Sequence, residues 1–229
     1  MIKCLKIAHR GVHKNSPENS ISSFEDALKI GADVIELDVR LCASGEVVVF
    51  HDPWFKRMLG VSGSIKKTVF SDISKLRYID SDESIPLLDD VLDQFADRIS
   101  INIEIKDINI SNHDVAKKVI SLLKKINFPE SIWVSSFNPL VLDFIKTVEP
   151  RVKTGFLFNK TKYIPLLLSQ FLHFDAWHPN YELIDEEFVK VARRKNKKIY
   201  AWTVNNSEEI GRLKNLGIDG IITDYIELI

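Results

Sequence analysis

Two apolar runs in this chain end on a histidine. "KIAHRG" leaves His9 and Arg10 behind the first, and "VVVFHD" leaves His51 and Asp52 behind the second. Two other runs carry paired charges: Glu36 and Asp38 in "IELDVR", Glu104 and Lys106 in "NIEIK". Residues two apart on a strand project to the same side, so each pair shares a face. Carboxylates on a buried face need compensation, because an unpaired buried charge is very costly. One arrangement is a salt-bridge network in which Arg10 and Lys106 pair with the three acids. The other is a divalent cation held by Glu36, Asp38 and Glu104, with Arg10 and Lys106 left to bind an anion. An all-oxygen donor set suits Mg²⁺ or Ca²⁺ and leaves positions for water and substrate oxygens. Imidazole titrates near neutrality, so two histidines at one mouth make a general acid and a general base. A cation, two basic side chains and an acid–base pair are what phosphoryl transfer to water requires.

Positioning such a set takes a repeating scaffold. Strand patterns are expected at Lys3–Ala8, Val34–Arg40, Val47–Phe50, Ser100–Ile105, Ile132–Ser135, Lys153–Leu157, Phe174–Trp177, Lys198–Val204 and Gly220–Thr223. Amphipathic helical stretches separate most of them. "SISSFEDALKIGA" spaces Ile21, Phe24 and Leu28 on one face, with Ser22 and Glu25 as a capping box and Gly31 as the stop. "DEEFVKVARRKNK" places Phe188, Val189 and Ala192 on one side, and "NSEEIGRLKNLG" starts on Asn206 or Ser207. Alternating strands and helices imply parallel strands joined by right-handed crossovers. With "VVVFHD" read as a hairpin partner of the second strand, turned by "ASGE", eight strands remain. The fold class expected is α/β, a (β/α)8 TIM barrel, with a doubly wound open sheet as the alternative. Catalytic groups then gather at the C-terminal strand ends, where Ser135, Ser136, His178, Trp202, Asn205 and Asp224 also fall. Glu18 and Asn19 in "SPEN" read either as a turn or as site residues. Trp202 reads as core or as an apolar wall for substrate, and His178 and Asp224 as rim residues that orient loops. His13, His113 and His173 are expected on the surface. Residues 53–84 are irregular, rich in Lys, Ser and Asp, and long enough for a functional excursion. The whole, residues 1–229, is expected to be one domain carrying that small insertion.

Composition narrows the partners. The 229 residues are 45 % apolar and 28 % charged with a net charge of −1, which gives no electrostatic reason to expect nucleic acid. The basic run "RRKNKK" closes a predicted helix and complements its dipole. Two cysteines make no disulfide framework, and "MIKCLKIAHRG" reads as a strand rather than a leader. No run approaches the roughly 18 apolar residues of a membrane span, so a cytoplasmic setting is expected.

The ordered set "HRG…PENS…GAD.IELDV…VVFHD…IPLLDDVL…NIEIK…SSF…AW.VN…GIDGIITD", from residue 7 to about 225, resembles the glycerophosphodiester phosphodiesterase family. The resemblance implies a (β/α)8 barrel and an enzyme that hydrolyses glycerophosphodiesters to glycerol 3-phosphate and an alcohol. It implies that Glu36, Asp38 and Glu104 bind the divalent cation. His9 and His51 become the acid–base pair, and Arg10 and Lys106 the phosphate ligands. Glu18 and Asn19 support the first loop, and Trp202 is the aromatic at the mouth. Asp52, from its position beside His51 alone, reads either as a residue that orients the ring or as a cap of the loop. The insertion covers the glycerol end. The chain departs from the family after the second histidine, where a basic-threonine-threonine pattern gives way to "FKRMLG", and it stops at "TDYIELI" where relatives continue into a helix. The barrel bottom is therefore expected to close with a stub or against a second copy in a homo-oligomer. Two rival readings are a lysophospholipase D-type enzyme acting on lipids and a phosphodiester-binding relative without catalysis. The second predicts a broken histidine or acid set, and every position is intact.

Overall fold

The computed structural model describes residues 3–106, 113–161 and 163–229. Nine strands form one sheet: β1 Leu5–His9, β2 Val34–Leu41, β3 Val47–Val49, β4 Ser100–Ile105, β5 Ile132–Ser136, β6 Lys153–Phe158, β7 Ala176–Pro179, β8 Lys198–Ala201 and β9 Gly220–Thr223. The order β1-β9-β8-β7-β6-β5-β4-β2 closes through a parallel β1–β2 pairing, which makes an eight-stranded parallel barrel. β3 is antiparallel to β2, as the "ASGE" turn predicts, with Gly45 at φ +92°. The open-sheet alternative is excluded by the closure.

Nine helices occur among the described residues: α1 Ile21–Ile30, α2 Lys56–Leu59, α3 Phe70–Ile73, α4 Leu88–Phe95, α5 Asp114–Lys125, α6 Pro139–Val148, α7 Tyr163–Leu168, α8 Glu186–Arg194 and α9 Ser207–Asn215. Phe24 of α1 is buried with Ile21 and Leu28 packed beside the core, as the spacing requires. The cap differs from the expected one. Ser20 accepts from Ser23 N–H and Ser23 completes the box, while Ser22 is taken by Glu83 and Glu25 pairs with Arg98. Ser20 has the extended backbone an N-cap needs, and Ser22 already lies inside the helix. Gly31 ends α1 in the left-handed region and Asn206 caps α9. Arg193 and Arg194 occupy the last turn of α8, and Arg193 also reaches Asp219 at 2.7 Å.

Inside the barrel an apolar plug of Ile7, Val34, Trp133 and Ile222 is buried, with Trp133 stacked on Tyr200 at 5.3 Å. Two larger apolar shells lie between strands and helices. The insertion is more ordered than its composition suggests. α2, α3 and a 3₁₀ turn at Ile65–Lys67 enclose their own core of Phe50, Phe55, Leu59, Ile65, Ile73 and Tyr78. The last residues form a 3₁₀ turn, Ile226–Leu228, with Ile226 buried in the core that includes Phe24 of α1.

Candidate active site

Register brings the carboxylates together. Along β2 and β4, Asp38 stands opposite Glu104 and Glu36 opposite Asn102, while His9 of β1 is level with Glu36. All three acids are buried, and each offers an oxygen within 4.8 Å of the others. Lys106 Nζ lies 3.0 Å from Asp38 Oδ1 and 2.5 Å from Glu104 Oε1, and Arg10 Nε lies 3.1 Å from Asp38 Oδ2. The salt-bridge network is therefore real, and it is incomplete: three carboxylates face two cations, which leaves one negative charge over. Neither Asp38 Oδ1 nor Glu104 Oε1 receives an aligned hydrogen bond. Oxygen donors with free lone pairs and an excess charge fit a hard divalent cation.

The titration pattern has the same cause. Burial, and then the neighbouring Asp38 and Glu104, push Glu36 well above the usual carboxylate range. Burial likewise lifts Glu104 to about 7, against the pull of Lys106. Asp38 goes the other way. Burial opposes its ionisation, but Lys106 and Arg10, helped by His51 and His9, hold it well below its ordinary value.

The first loop is shaped to serve this cluster. Arg10 and Gly11 both adopt left-handed φ, 57° and 79°, and a Cβ on Gly11 would come within 2.3 Å of Ser23 Oγ. The turn aims the Arg10 N–H at Glu36 Oε2, 3.0 Å away. Asn19, also left-handed at φ 58°, donates to Asp38 Oδ2 at 2.9 Å and accepts the Asp38 N–H at 3.1 Å. Glu18 accepts from Arg10 Nη1 at 3.0 Å. So "SPEN" is both the turn and a wall of the site.

Each histidine has a carboxylate behind it. His9 Nδ1 lies 2.7 Å from Asp224 Oδ1, and His51 Nδ1 lies 2.7 Å from Asp52 Oδ1. Burial depresses the His51 pKa, with Asp38 partly restoring it. Both rings lie near enough to Asp38 to help hold its pKa down.

Several contacts were not legible beforehand. Arg57, from "FKRMLG", donates to Asp52 Oδ2 at 2.5 Å and to Glu18 Oε1 at 2.6 Å, so the departing segment ties the two loops together. Asn102, two before Glu104, is buried beside Glu36; the same period-two rule would have found it. His13 is not simply a surface residue, since its Nε2 approaches Asp224 Oδ1 at 3.1 Å. His173 is exposed, and His113 is partly covered against Phe144. His178 is not on the rim. β7 runs to Pro179, so His178 points into the barrel, fully buried, where burial drives its pKa down to about 3. Trp202 stands at the mouth, donating to His178 O at 2.7 Å and meeting Phe137 edge-on at 5.3 Å.

A closed (β/α)8 barrel whose C-terminal mouth holds buried acids, two basic groups and two carboxylate-backed histidines defines the class: a barrel hydrolase built for an anionic substrate. The sequence matches the Glycerophosphoryl diester phosphodiesterase family over residues 9–228. A glycerophosphodiester phosphodiesterase of Caldanaerobacter subterraneus subsp. tengcongensis is 36 % identical, with 97 % of this chain and 95 % of that protein aligned. A glycerophosphodiester phosphodiesterase structure from Thermotoga maritima superposes with a TM-score of 0.84 at 30 % identity, covering 100 % of this chain and 98 % of that one. A phosphodiesterase from Oleispira antarctica, in complex with the product sn-glycerol-3-phosphate, shares the fold with a TM-score of 0.88 at 24 % identity, over 99 % and 95 % of the two chains. This chain belongs to the glycerophosphoryl diester phosphodiesterase family, and it is a phosphoric diester hydrolase.

Proposed function

We propose that this protein hydrolyses water-soluble glycerophosphodiesters to sn-glycerol 3-phosphate and an alcohol, in a reaction that depends on one divalent cation, and that residues 1–229 work as one catalytic unit. The observation that carries the reading is the unbalanced charge at the mouth: three buried carboxylates against Arg10 and Lys106, near two histidines that each have an aspartate partner. Glu36, Asp38 and Glu104 would hold Mg²⁺ or Ca²⁺. When bound, the cation supplies charge neutralisation at the phosphoryl oxygens.

The chain's own residues do the rest. Release of Asp38 and Glu104 from Lys106 and Arg10 frees those two cations to meet the non-bridging oxygens of the phosphate. His9 and His51 move the protons. With Nδ1 engaged by Asp224 or Asp52, each ring presents Nε2, and one takes a proton from the nucleophile while the other donates to the leaving oxygen. The aspartates fix the ring orientation and stabilise the charged form. Glu18 and Asn19 hold Arg10 and Asp38 in place, and Phe137 with Trp202 forms an apolar wall. The insertion closes the other side through Arg57.

The test is release of glycerol 3-phosphate from glycerophosphocholine, with and without EDTA, extended to several head groups. Turnover is expected only with added Mg²⁺ or Ca²⁺; full activity in EDTA would sink the metal dependence. His9→Ala and His51→Ala are compared on a poor and a p-nitrophenyl leaving group. The variant lacking the acid should recover on the activated substrate, and equal losses on both substrates would overturn the acid–base assignment.

A further inference from the structure

A second cluster with different donors stands beside the carboxylates. His9 Nδ1 and His13 Nε2 converge on one oxygen of Asp224, Oδ1, at 2.7 and 3.1 Å, and the three donor atoms lie within 4.8 Å of one another. His9 ends β1, His13 lies four residues further on, and Asp224 follows β9, the strand paired with β1. The carboxylate is held from behind. Asn205 Nδ2 donates to Asp224 Oδ2 at 2.6 Å, and the Asp224 N–H donates to Asn205 Oδ1 at 2.9 Å. All three side chains are reachable from solvent, with 19, 27 and 23 % of their surface open.

We infer that His9, His13 and Asp224 form a binding site for a borderline divalent transition cation, of which Zn²⁺ is the type, and that its occupation switches the hydrolase off. Two imidazoles and one carboxylate suit Zn²⁺ over Mg²⁺ or Ca²⁺, whereas the neighbouring oxygen-only set has the opposite preference. The two clusters thus sort cations by ligand chemistry within one mouth. Three protein donors leave a fourth position for water, the pattern of an open zinc site. Zinc–ligand distances of about 2.0–2.1 Å put tetrahedral donors roughly 3.3 Å apart. The contacts of Asp224 Oδ1 with the two rings, 2.7 and 3.1 Å, would spread toward that value, and the two ring nitrogens, within 4.8 Å of each other, would settle to it. Asn205 orients the carboxylate as outer-shell partners of metal ligands do.

Binding requires lone pairs from both rings, so the proton of each moves to the other ring nitrogen: Nε2 of His9 and Nδ1 of His13. His9 then carries a proton on Nε2 and has no nitrogen left to accept another. Donating that proton would leave an imidazolate, so neither proton-transfer role survives. The loss of activity rests on the role proposed for His9; the binding does not.

The experiment uses the full chain at saturating Mg²⁺, which fills the oxygen site. Equilibrium dialysis with ZnCl₂ and the visible absorption of added Co²⁺ read binding directly, in wild type and in His13→Asn. One zinc per chain is expected in wild type, with affinity at least about tenfold weaker in the variant. Hydrolysis of glycerophosphocholine, normalised to each protein's own zinc-free rate, should fall with zinc in wild type and need at least about tenfold more zinc in His13→Asn. Equal zinc affinity in the two proteins, or displacement of the zinc by further Mg²⁺, overturns the site. Zinc bound through His13 with turnover intact overturns the shut-off, and with it the proton-transfer role of His9.

Discussion

Arg57 shows how one side chain outside any regular pattern organises the mouth. Its guanidinium joins Glu18 of the first loop to Asp52, the partner of His51, and both carboxylates are held below their ordinary pKa against the opposing effect of burial. Arg57→Ala frees Asp52 to turn away and leaves the His51 ring unanchored. The side chain is 47 % exposed, so stability should change by about 1 kcal/mol or less. Turnover should fall by about tenfold, equivalent to about 1.4 kcal/mol in the barrier. Urea unfolding and kcat measured side by side check this; parallel losses in both would make Arg57 merely structural. His178 is a different single-residue case. Its folded pKa, about 3, lies below the unfolded value of about 6.5. The unfolded chain therefore binds the extra proton first. Stability from keeping His178 neutral is complete above about pH 6.5 and declines toward pH 3, at up to about 1.4 kcal/mol per pH unit. Glu36 and Glu104, whose folded pKa values are raised, titrate with the opposite sign. The stability of wild type relative to His178→Gln, from unfolding free energies, is therefore the readout, and it should fall between pH 7 and pH 5.5. The acids and histidines of the site were readable because period-two spacing and strand ends expose them. Arg57 sits in an irregular loop with no period, and its partners lie 39 and 5 residues away, so only folding reveals the contact.

Between elements, close approach decides what a sequence pattern leaves open. Gly155 of β6 faces His178 of β7, and a Cβ there would come within 2.3 Å of the ring Nε2. Gly155→Ala should cost about 1–3 kcal/mol by overpacking. His178→Ala makes room for the methyl group, so the double variant should be more stable than the sum of the two single losses predicts. Strictly additive losses in urea melts would mean that the two residues do not compete for the same space. The strand count, the β2–β3 hairpin and the barrel closure followed from alternation and from the βα repeat. Boundaries did not. The strand predicted at Phe174–Trp177 runs Ala176–Pro179, and this two-residue shift alone moves His178 from rim to interior. Similarly, three serines in a row of four, Ser20, Ser22 and Ser23, all satisfy the preference for a cap, and Glu83, 61 residues from Ser22, claims the one that was expected. Propensity is local, whereas the choice among equivalent residues is made by tertiary partners.

At the scale of the whole molecule, the site and the barrel share one electrostatic problem. Glu36, Asp38 and Glu104 lie on adjacent strands whose pairing helps to close the barrel, so the uncompensated charge acts across β2 and β4 themselves. With three acids and two cations the metal-free fold carries one buried negative charge too many, and only a bound cation or a proton removes it. A ligand that binds the folded chain and not the unfolded one stabilises it by mass action, about 2.7 kcal/mol at a hundred times its Kd. For a chain of this size that corresponds to roughly 5–10 °C in Tm. Wild type should therefore melt higher in Mg²⁺ or Ca²⁺ and return to its starting value in EDTA. Glu36→Gln removes the excess charge and one metal ligand together. It should melt above metal-free wild type in EDTA and gain little from either cation, while glycerol 3-phosphate release is lost. Calorimetry of the two proteins in EDTA, Mg²⁺ and Ca²⁺ separates the cases. If Glu36→Gln is the less stable protein in EDTA, the excess charge is not what the barrel contends with, and Glu36 is then a structural hydrogen-bond acceptor for the Arg10 turn rather than a ligand held ready for a cation.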